Sequence, residues 1–266
     1  MMNRIGACVW SLPGQTVEEQ LSLAQAGGLD GVQLDLYSGV GGQTLEDETM
    51  IGWMRDFAAQ SGLQYPSLGV GVFCQHGATD RAQHPFLRDV LDAAIYAAAQ
   101  LRIPLLQVPS FFASALNTQE DIANTIELMH YACEQAQKFN IQVGSENVLP
   151  PDKLEEFISA VNMPNFKIYF DTANPHAMAG LDAVELLDAS VPYLAQVHLK
   201  DERDDGEPAL LGEGDCQFQK TFAALKSMNY RGWYVLESPY TKVMEVDGMS
   251  AQEALFRDLS AAGYDS

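Results

Sequence analysis

The chain has 266 residues, 47% of them hydrophobic, and carries a formal net charge of −21 from 15 basic and 36 acidic side chains. That length suits one (β/α) barrel or two small domains with a sizeable core, and no apolar run approaches the roughly 20 residues that a membrane helix needs. So acidic a surface repels phosphate backbones and excludes nucleic acid as an expected partner, while leaving small neutral ligands unaffected.

The opening MMNRIGACVW is too short in apolar residues for a secretory signal and reads as a first strand, Ile5–Trp10. Thr16 and Glu19 form the pattern of a capping box for a helix that runs to Ala26 and stops at Gly27-Gly28. Gly31–Leu36 is a second strand. The glycine-rich stretch Ser38–Gln43 leads into a helix over Leu45–Gln60, closed by Gly62. Gln64–Val72 reads as a third strand broken by Pro66 and glycines, followed by an alanine-rich helix, His84–Gln100. Leu105–Val108 is a fourth strand, and Asn117 or Thr118 caps a long helix to Lys138. Four more strands follow, with helices near Asp152–Val161, Asp182–Ala189, Phe218–Met228 and Ser250–Ala262. Eight strand-then-helix units predict a single (β/α)8 TIM barrel over residues 1–266, with no low-complexity linker to divide it. A doubly wound sheet would carry a glycine fingerprint after its first strand, where this chain has SLPGQ. The four cysteines, Cys8, Cys74, Cys133 and Cys216, show no CxxC pair and read as reduced, mostly buried thiols of a cytoplasmic protein.

The last four strands share one grammar. IQVGSE, FKIYFD, LAQVH and WYVLE are short β-branched or aromatic runs, each stopping at a metal-capable residue: Glu146, Asp171, His198 and Glu237. They recur at roughly 25–40 residues, one strand–helix unit apart, so they converge on the carboxyl-terminal rim where such barrels place their active sites. Three carboxylates and one imidazole, without thiolate, suit one divalent ion of intermediate hardness. Mn²⁺ fits first, with Mg²⁺, Co²⁺ or Zn²⁺ as alternatives.

The runs VGSEN, YFDTANPHAMAG, VHLKD, LGEGD and WYVLE resemble the successive signatures of the xylose isomerase-like TIM-barrel superfamily. The branch in question holds ketose 3-epimerases, hydroxypyruvate isomerase, inosose dehydratase and 3-dehydroshikimate dehydratase. The resemblance implies that Glu146, Asp171, His198 and Glu237 are the metal ligands. It also implies that Glu146 and Glu237 are the acid–base pair on opposite faces of the substrate. The implied activity is a metal-dependent sugar isomerase or epimerase: the ion polarises a ketose carbonyl, one glutamate takes the adjacent proton, and the other returns one to the resulting enediolate. Return to the opposite face of the same carbon gives epimerisation, and transfer between carbons gives isomerisation.

Around that centre, His176, Lys200, Arg203, Gln107, His76, Glu213 and Trp10 are candidate substrate-binding residues, and Asp35 also points to the rim. Lys200 follows His198 by two and so shares its side of the strand; the competing expectation for it is an ion pair with Asp201 or Glu202. Classical ketose epimerases have a histidine where this chain has Asn174, and an arginine where it has Asp204. Those departures, with Lys200, keep open a dehydratase acting on a cyclic polyol or keto acid. An apurinic endonuclease of the same superfamily would use more histidines than the five present and would face the charge barrier noted above. A non-catalytic sugar-binding module would have to bury a carboxylate cluster without an ion to offset it. The expected partner is a small carbohydrate or polyol. The scarcity of Lys and Arg at the rim points away from phosphorylated ones, and relatives commonly form homo-oligomers.

Overall fold

The computed structural model describes residues 3–39 and 41–264. Met1, Met2, Val40, Asp265 and Ser266 lie outside the described residues, the first and last pairs at the ends of the predicted domain and Val40 within the predicted loop Ser38–Gln43. Eight parallel strands close into a barrel: β1 (Arg4–Cys8), β2 (Gly31–Asp35), β3 (Leu68–Gly69), β4 (Leu105–Pro109), β5 (Gln142–Glu146), β6 (Phe166–Asp171), β7 (Leu194–Leu199) and β10 (Trp233–Leu236). The order around the barrel is β1-β10-β7-β6-β5-β4-β3-β2. Between β7 and β10 the chain makes a small antiparallel pair, β8 (Asp201–Glu202) with β9 (Pro208–Ala209).

Helices α1 (Val17–Ala26), α2 (Glu48–Ser61), α3 (His84–Leu101), α4 (Gln119–Ala136), α5 (Pro151–Val161), α7 (Ala183–Ser190), α8 (Phe218–Ser227) and α10 (Ala251–Ala261) are those expected, within a few residues at each end. Two short helices, α6 (Asn174–Ala179) and α9 (Tyr240–Asp247), follow directly on the predicted ligand strands β6 and β10 and were not legible in the sequence. The first strand stops at Cys8, and Trp10 sits in a 3-10 turn over Val9–Ser11. The third strand is only Leu68–Gly69, because Pro66 withholds an N–H and the chain turns into a 3-10 segment at Gly71.

The helices are held by amphipathic burial. In α3 the apolar side buries Leu87, Val90, Leu91, Ala94, Ile95 and Ala98, the three-to-four spacing that a helix lying on a sheet requires. Thr118 closes a full capping box on α4: its Oγ1 accepts from the Asp121 N–H at 3.1 Å, and Asp121 Oδ2 accepts from the Thr118 N–H at 2.8 Å. At α1 the box is displaced by one, since Glu19 takes the Gln15 N–H (2.7 Å) while Thr16 accepts from Glu19 N–H. Thr118→Ala should destabilise the protein by about 1 kcal/mol in urea unfolding, with the urea dependence of the unfolding free energy unchanged.

Inside the barrel, alternation along the strands stacks polar side chains in layers. Tyr169 Oη lies 2.8 Å from Gln33 Oε1 and 3.0 Å from Gln196 Oε1, and Ser67 Oγ donates to Gln196 Oε1 at 2.7 Å. Two residues further along β2, β6 and β7 stand Asp35, Asp171 and His198. The polar layer therefore forms a floor directly beneath the functional one.

Candidate metal centre and active site

Glu146 and Asp171 are the last residues of β5 and β6, His198 is next to last in β7, and Glu237 follows β10 directly. Asp171 and His198 are paired in the β6–β7 register, and the Glu237 N–H extends the ladder to the Leu199 carbonyl. The side chains meet around one imidazole nitrogen: His198 Nδ1 is 3.3 Å from Glu146 Oε1, 3.5 Å from Glu237 Oε2 and 3.9 Å from Asp171 Oδ2. One donor atom from each of the four lies within 4.8 Å of the others.

Hydrogen bonds from the neighbours orient each of the four groups. His198 Nε2 lies 2.7 Å from Gln33 Oε1, an acceptor that takes the Nε2 proton and leaves Nδ1 as the ring atom turned towards the three carboxylates. Asp171 Oδ1 accepts the Ala173 and Asn174 N–H groups at 2.7 and 2.6 Å, while its Oδ2 is buried without a hydrogen-bond partner. Glu146 accepts from Gln107 Nε2 and, at 3.2 Å, from Asn174 Nδ2; Glu237 Oε1 accepts from Trp10 Nε1 at 3.1 Å. An unpartnered buried carboxylate oxygen is costly unless a cation offsets it, so this donor set fits a divalent ion. Cys8, His198 and Glu237 form an overlapping set, with Cys8 Sγ 3.3 Å from His198 Nε2. The Gln33 contact already commits that nitrogen, and burial pushes the Cys8 thiol up to about 12. The four-residue set is therefore the better one.

Electrostatics describe a crowded anionic site. Burial raises the Asp171 carboxyl to about 6, against the opposing pull of Lys200. Burial opposes charge on His198 and Lys200, yet the surrounding acidic groups outweigh it and hold both above their ordinary values. Away from the centre, Asp258 is pushed by burial to about 6 while accepting from Ser238, Tyr240 and the Leu211 N–H. Between pH 6 and 3.8 the folded Asp171 and Asp258 keep protons that the unfolded chain has released, so stability rises as pH falls through that window. His198 acts in the same sense, its contribution being present below 6.5 and lost as pH rises through its higher folded value. Chelator-treated protein should consequently melt at a higher temperature at pH 5.5 than at pH 7.5, and a saturating divalent ion should shrink that difference.

The centre opens into a cavity of about 790 Å³ lined by, among others, Trp10, Asp35, Gln107, Glu146, Lys200 and Glu237. Lys200 Nζ donates to Asn174 Oδ1 at 3.2 Å and stands 3.8 Å from Glu237 Oε2. Of the two competing ion-pair partners named for it, Asp201 or Glu202, Asp201 is otherwise engaged: its buried carboxylate collects the N–H groups of Glu202, Gly212, Gly214 and Cys216 and so curls the LGEGD loop. Four predicted binding residues stand outside the cavity lining. His76 packs against Phe86 with the rings tilted 51° apart, and its Nδ1 lies 3.3 Å from Gln83 Oε1. His176 Nε2 lies 3.4 Å from Asp204 Oδ1, carried aside by α6. Arg203 donates to the Pro208 carbonyl across the β8–β9 turn, and Glu213 pairs with Arg257.

Sequence reading missed Gln33, Cys8 and Tyr169 beneath the centre and the bridging role of Asn174. Gln33 was discoverable as a polar residue two before Asp35 in an otherwise apolar strand. All four cysteines are free thiols; Cys74 is half-buried and lines the cavity. A second cavity, of about 190 Å³, lies at the amino-terminal end of β1 and β10 beside Asn3, Lys226 and Tyr264.

The chain is 32% identical over 228 residues to 2-epi-5-epi-valiolone 7-phosphate 2-epimerase of an Actinoplanes species, covering 85% of this chain and 83% of that one. It is 22% identical over 157 residues to inosose dehydratase of Bacillus anthracis, about half of each chain (50% and 52%). Among solved structures it superposes on the IOLI protein with a bound zinc atom at a TM-score of 0.75 and 14% identity, covering 99% of both chains. A sequence model described as xylose isomerase-like TIM barrel matches residues 21–261. This chain belongs to the xylose isomerase-like TIM-barrel family.

Proposed function

We propose that the protein is a divalent-metal-dependent epimerase or isomerase of a small hydroxylated carbonyl compound, with Glu146, Asp171, His198 and Glu237 holding one ion. The observation that carries this reading is the convergence of those four side chains around His198 Nδ1 with Asp171 Oδ2 buried and unpartnered. Mn²⁺ suits the oxygen-rich set best, and the zinc atom in the IOLI protein supports a divalent ion in this fold. When bound, such an ion supplies Lewis-acid polarisation of a carbonyl.

The chain's own residues do the remaining work. One of Glu146 and Glu237 takes the proton from the carbon beside the carbonyl, and the electron pair left behind delocalises onto the carbonyl oxygen. The other glutamate returns a proton to carbon, so that no net charge or electron is lost. Trp10 holds Glu237 at Oε1, while Gln107 and Asn174 hold Glu146, which orients both carboxylates before substrate arrives. Lys200, beside Glu237, is placed to hydrogen-bond a substrate oxygen.

Lys200 also favours a second reading, a dehydratase, in which its ammonium donates the proton that a leaving hydroxyl needs. The relation to inosose dehydratase supports that alternative. The deciding experiment incubates Mn²⁺-loaded protein in deuterated water with ketoses, hydroxypyruvate, inosose and dehydroshikimate, followed by NMR. Deuterium at one carbon of a recovered sugar supports epimerisation or isomerisation; uptake with loss of water supports the dehydratase. No exchange with any of them, at full metal occupancy, refutes both. A reducing, cytoplasmic setting fits the four free thiols.

A further inference from the structure

The cavity is larger than two reacting carbons require, and the wall formed by Trp10, Asp35, Tyr37, Ser38 and Gly71, which adjoins Glu237 through the Trp10 indole, has properties of its own. The first is charge. Among the described residues lining the cavity, Lys200 is the only cation, set against Asp35, Glu146 and Glu237, and it is held at the metal end by Asn174 and Glu237. The second is the state of the backbone amides, which elsewhere bind phosphate without any cation. Here Tyr37 and Gly71 donate to the two oxygens of Asp35 at 3.0 and 2.8 Å, Ser38 donates to the Asp35 carbonyl at 2.9 Å, and Gln75 donates to the Val72 carbonyl at 3.0 Å.

The third is shape. A Cβ at Gly71 would stand 3.0 Å from Asp35 Oδ2, and one at Gly69 would stand 2.9 Å from Gln107 Oε1 and 3.5 Å from the Trp10 ring. The two glycines let carboxylate, amide and indole converge on one space. Each Asp35 oxygen keeps a lone pair after accepting one N–H, so it can still accept from a hydroxyl. Trp10, 43% exposed, offers a flat apolar face to the C–H side of a sugar.

We propose that this wall is a specificity subsite for the part of the substrate that lies beside the reacting carbon, on the β1–β2 side of the pocket. It accepts an uncharged, hydroxyl-bearing part and rejects a phosphate ester. A phosphate monoester would bring about −1.5 to −2 charge against Asp35 with neither a free cation nor a free amide among those named to receive it. In this the chain parts from its 32%-identical relative, whose name carries a 7-phosphate. The inference rests on the proton-transfer reading of the pocket and adds the class of substrate.

The test measures deuterium exchange by the Mn²⁺-loaded enzyme on matched pairs: D-fructose and its 6-phosphate, D-ribulose and its 5-phosphate, and 2-epi-5-epi-valiolone and its 7-phosphate. In every pair that exchanges, the free compound should have the higher kcat/KM by at least about tenfold. Asp35→Asn should narrow that ratio by raising KM for the free compound and lowering it for the ester; a purely structural Asp35 would impair both alike. Tyr37→Arg, which places a cation at an exposed position of this wall, should raise kcat/KM for the ester selectively. A wild-type preference for the phosphate, or unchanged selectivity in both variants, overturns the subsite and leaves the proton-transfer reading standing. Absence of exchange in all pairs overturns that reading and the subsite with it.

Discussion

Glu146→Gln and Glu237→Gln are each expected to lower kcat for epimerisation by about 10²–10⁴-fold, because each removes a proposed proton carrier without changing side-chain size. The two variants should differ in solvent exchange. For a given starting epimer, loss of the abstracting carboxylate stops deuterium uptake altogether. Loss of the returning carboxylate leaves slow uptake into the starting sugar without inversion, since the first glutamate can still remove and replace a proton on its own face. Run from the opposite epimer, the two variants should exchange behaviours. That reciprocity separates a two-base mechanism from simple damage to the site. Metal content measured alongside guards against the trivial explanation, because both glutamates are also proposed ligands. Retained metal with normal epimerisation in either variant would remove that residue from the proton relay.

Removal of the ion should be as severe. Chelation is expected to abolish turnover, with recovery on adding back Mn²⁺ and weaker recovery with Mg²⁺, whose demand for octahedral oxygen ligation is poorly met by an imidazole. The same treatment should lower stability. A ligand at a hundredfold excess over its Kd stabilises the folded state by about 2.7 kcal/mol, which for a chain of this size corresponds to roughly 5–10 °C in Tm. The direction follows from the site itself: Asp171 Oδ2 is buried without a hydrogen-bond partner, and His198 is held above its ordinary value, against burial, by acidic neighbours that include Glu237 and Glu146, whose charge an ion would offset. Asp171→Asn relieves part of that repulsion, so its metal-free form should be at least as stable as the metal-free wild type while binding the ion more weakly. Equal melting of wild type with and without divalent ion, across pH 6 to 8, would contradict this.

The barrel and its four convergent residues were legible because both are written in local pattern. Each of the four closes a short β-branched or aromatic run, and the runs recur at the length of one strand–helix unit. The supporting residues were harder to read. Gln33 and Tyr169 lie two positions before Asp35 and Asp171 on the same faces, but only closure of the barrel brings β2 across to β7 and makes Gln33 the partner of His198. Asp201 looked like an ion-pair partner for Lys200, and nothing local revealed that the glycine-rich loop would wrap its carboxylate. His76, His176, Arg203 and Glu213 were drawn in by residue type and position near strand ends. The 3-10 turn after β3, the six-residue helix after β6 and the β8–β9 turn after β7, all too short for periodicity to reveal, decide where such side chains finally point. Trp10 shows the converse. It leaves the predicted strand for a 3-10 turn, yet that turn brings its indole N–H onto Glu237.

The central claim is that Glu146, Asp171, His198 and Glu237 share one divalent ion. It is met most directly by titrating Mn²⁺ into chelator-treated protein and following free Mn²⁺ by electron paramagnetic resonance, for the wild type and for His198→Ala. One saturable site per chain in the wild type, weakened at least about tenfold by the substitution, is the result expected. Saturable binding that His198→Ala leaves untouched, or no saturable site in the wild type, would contradict it.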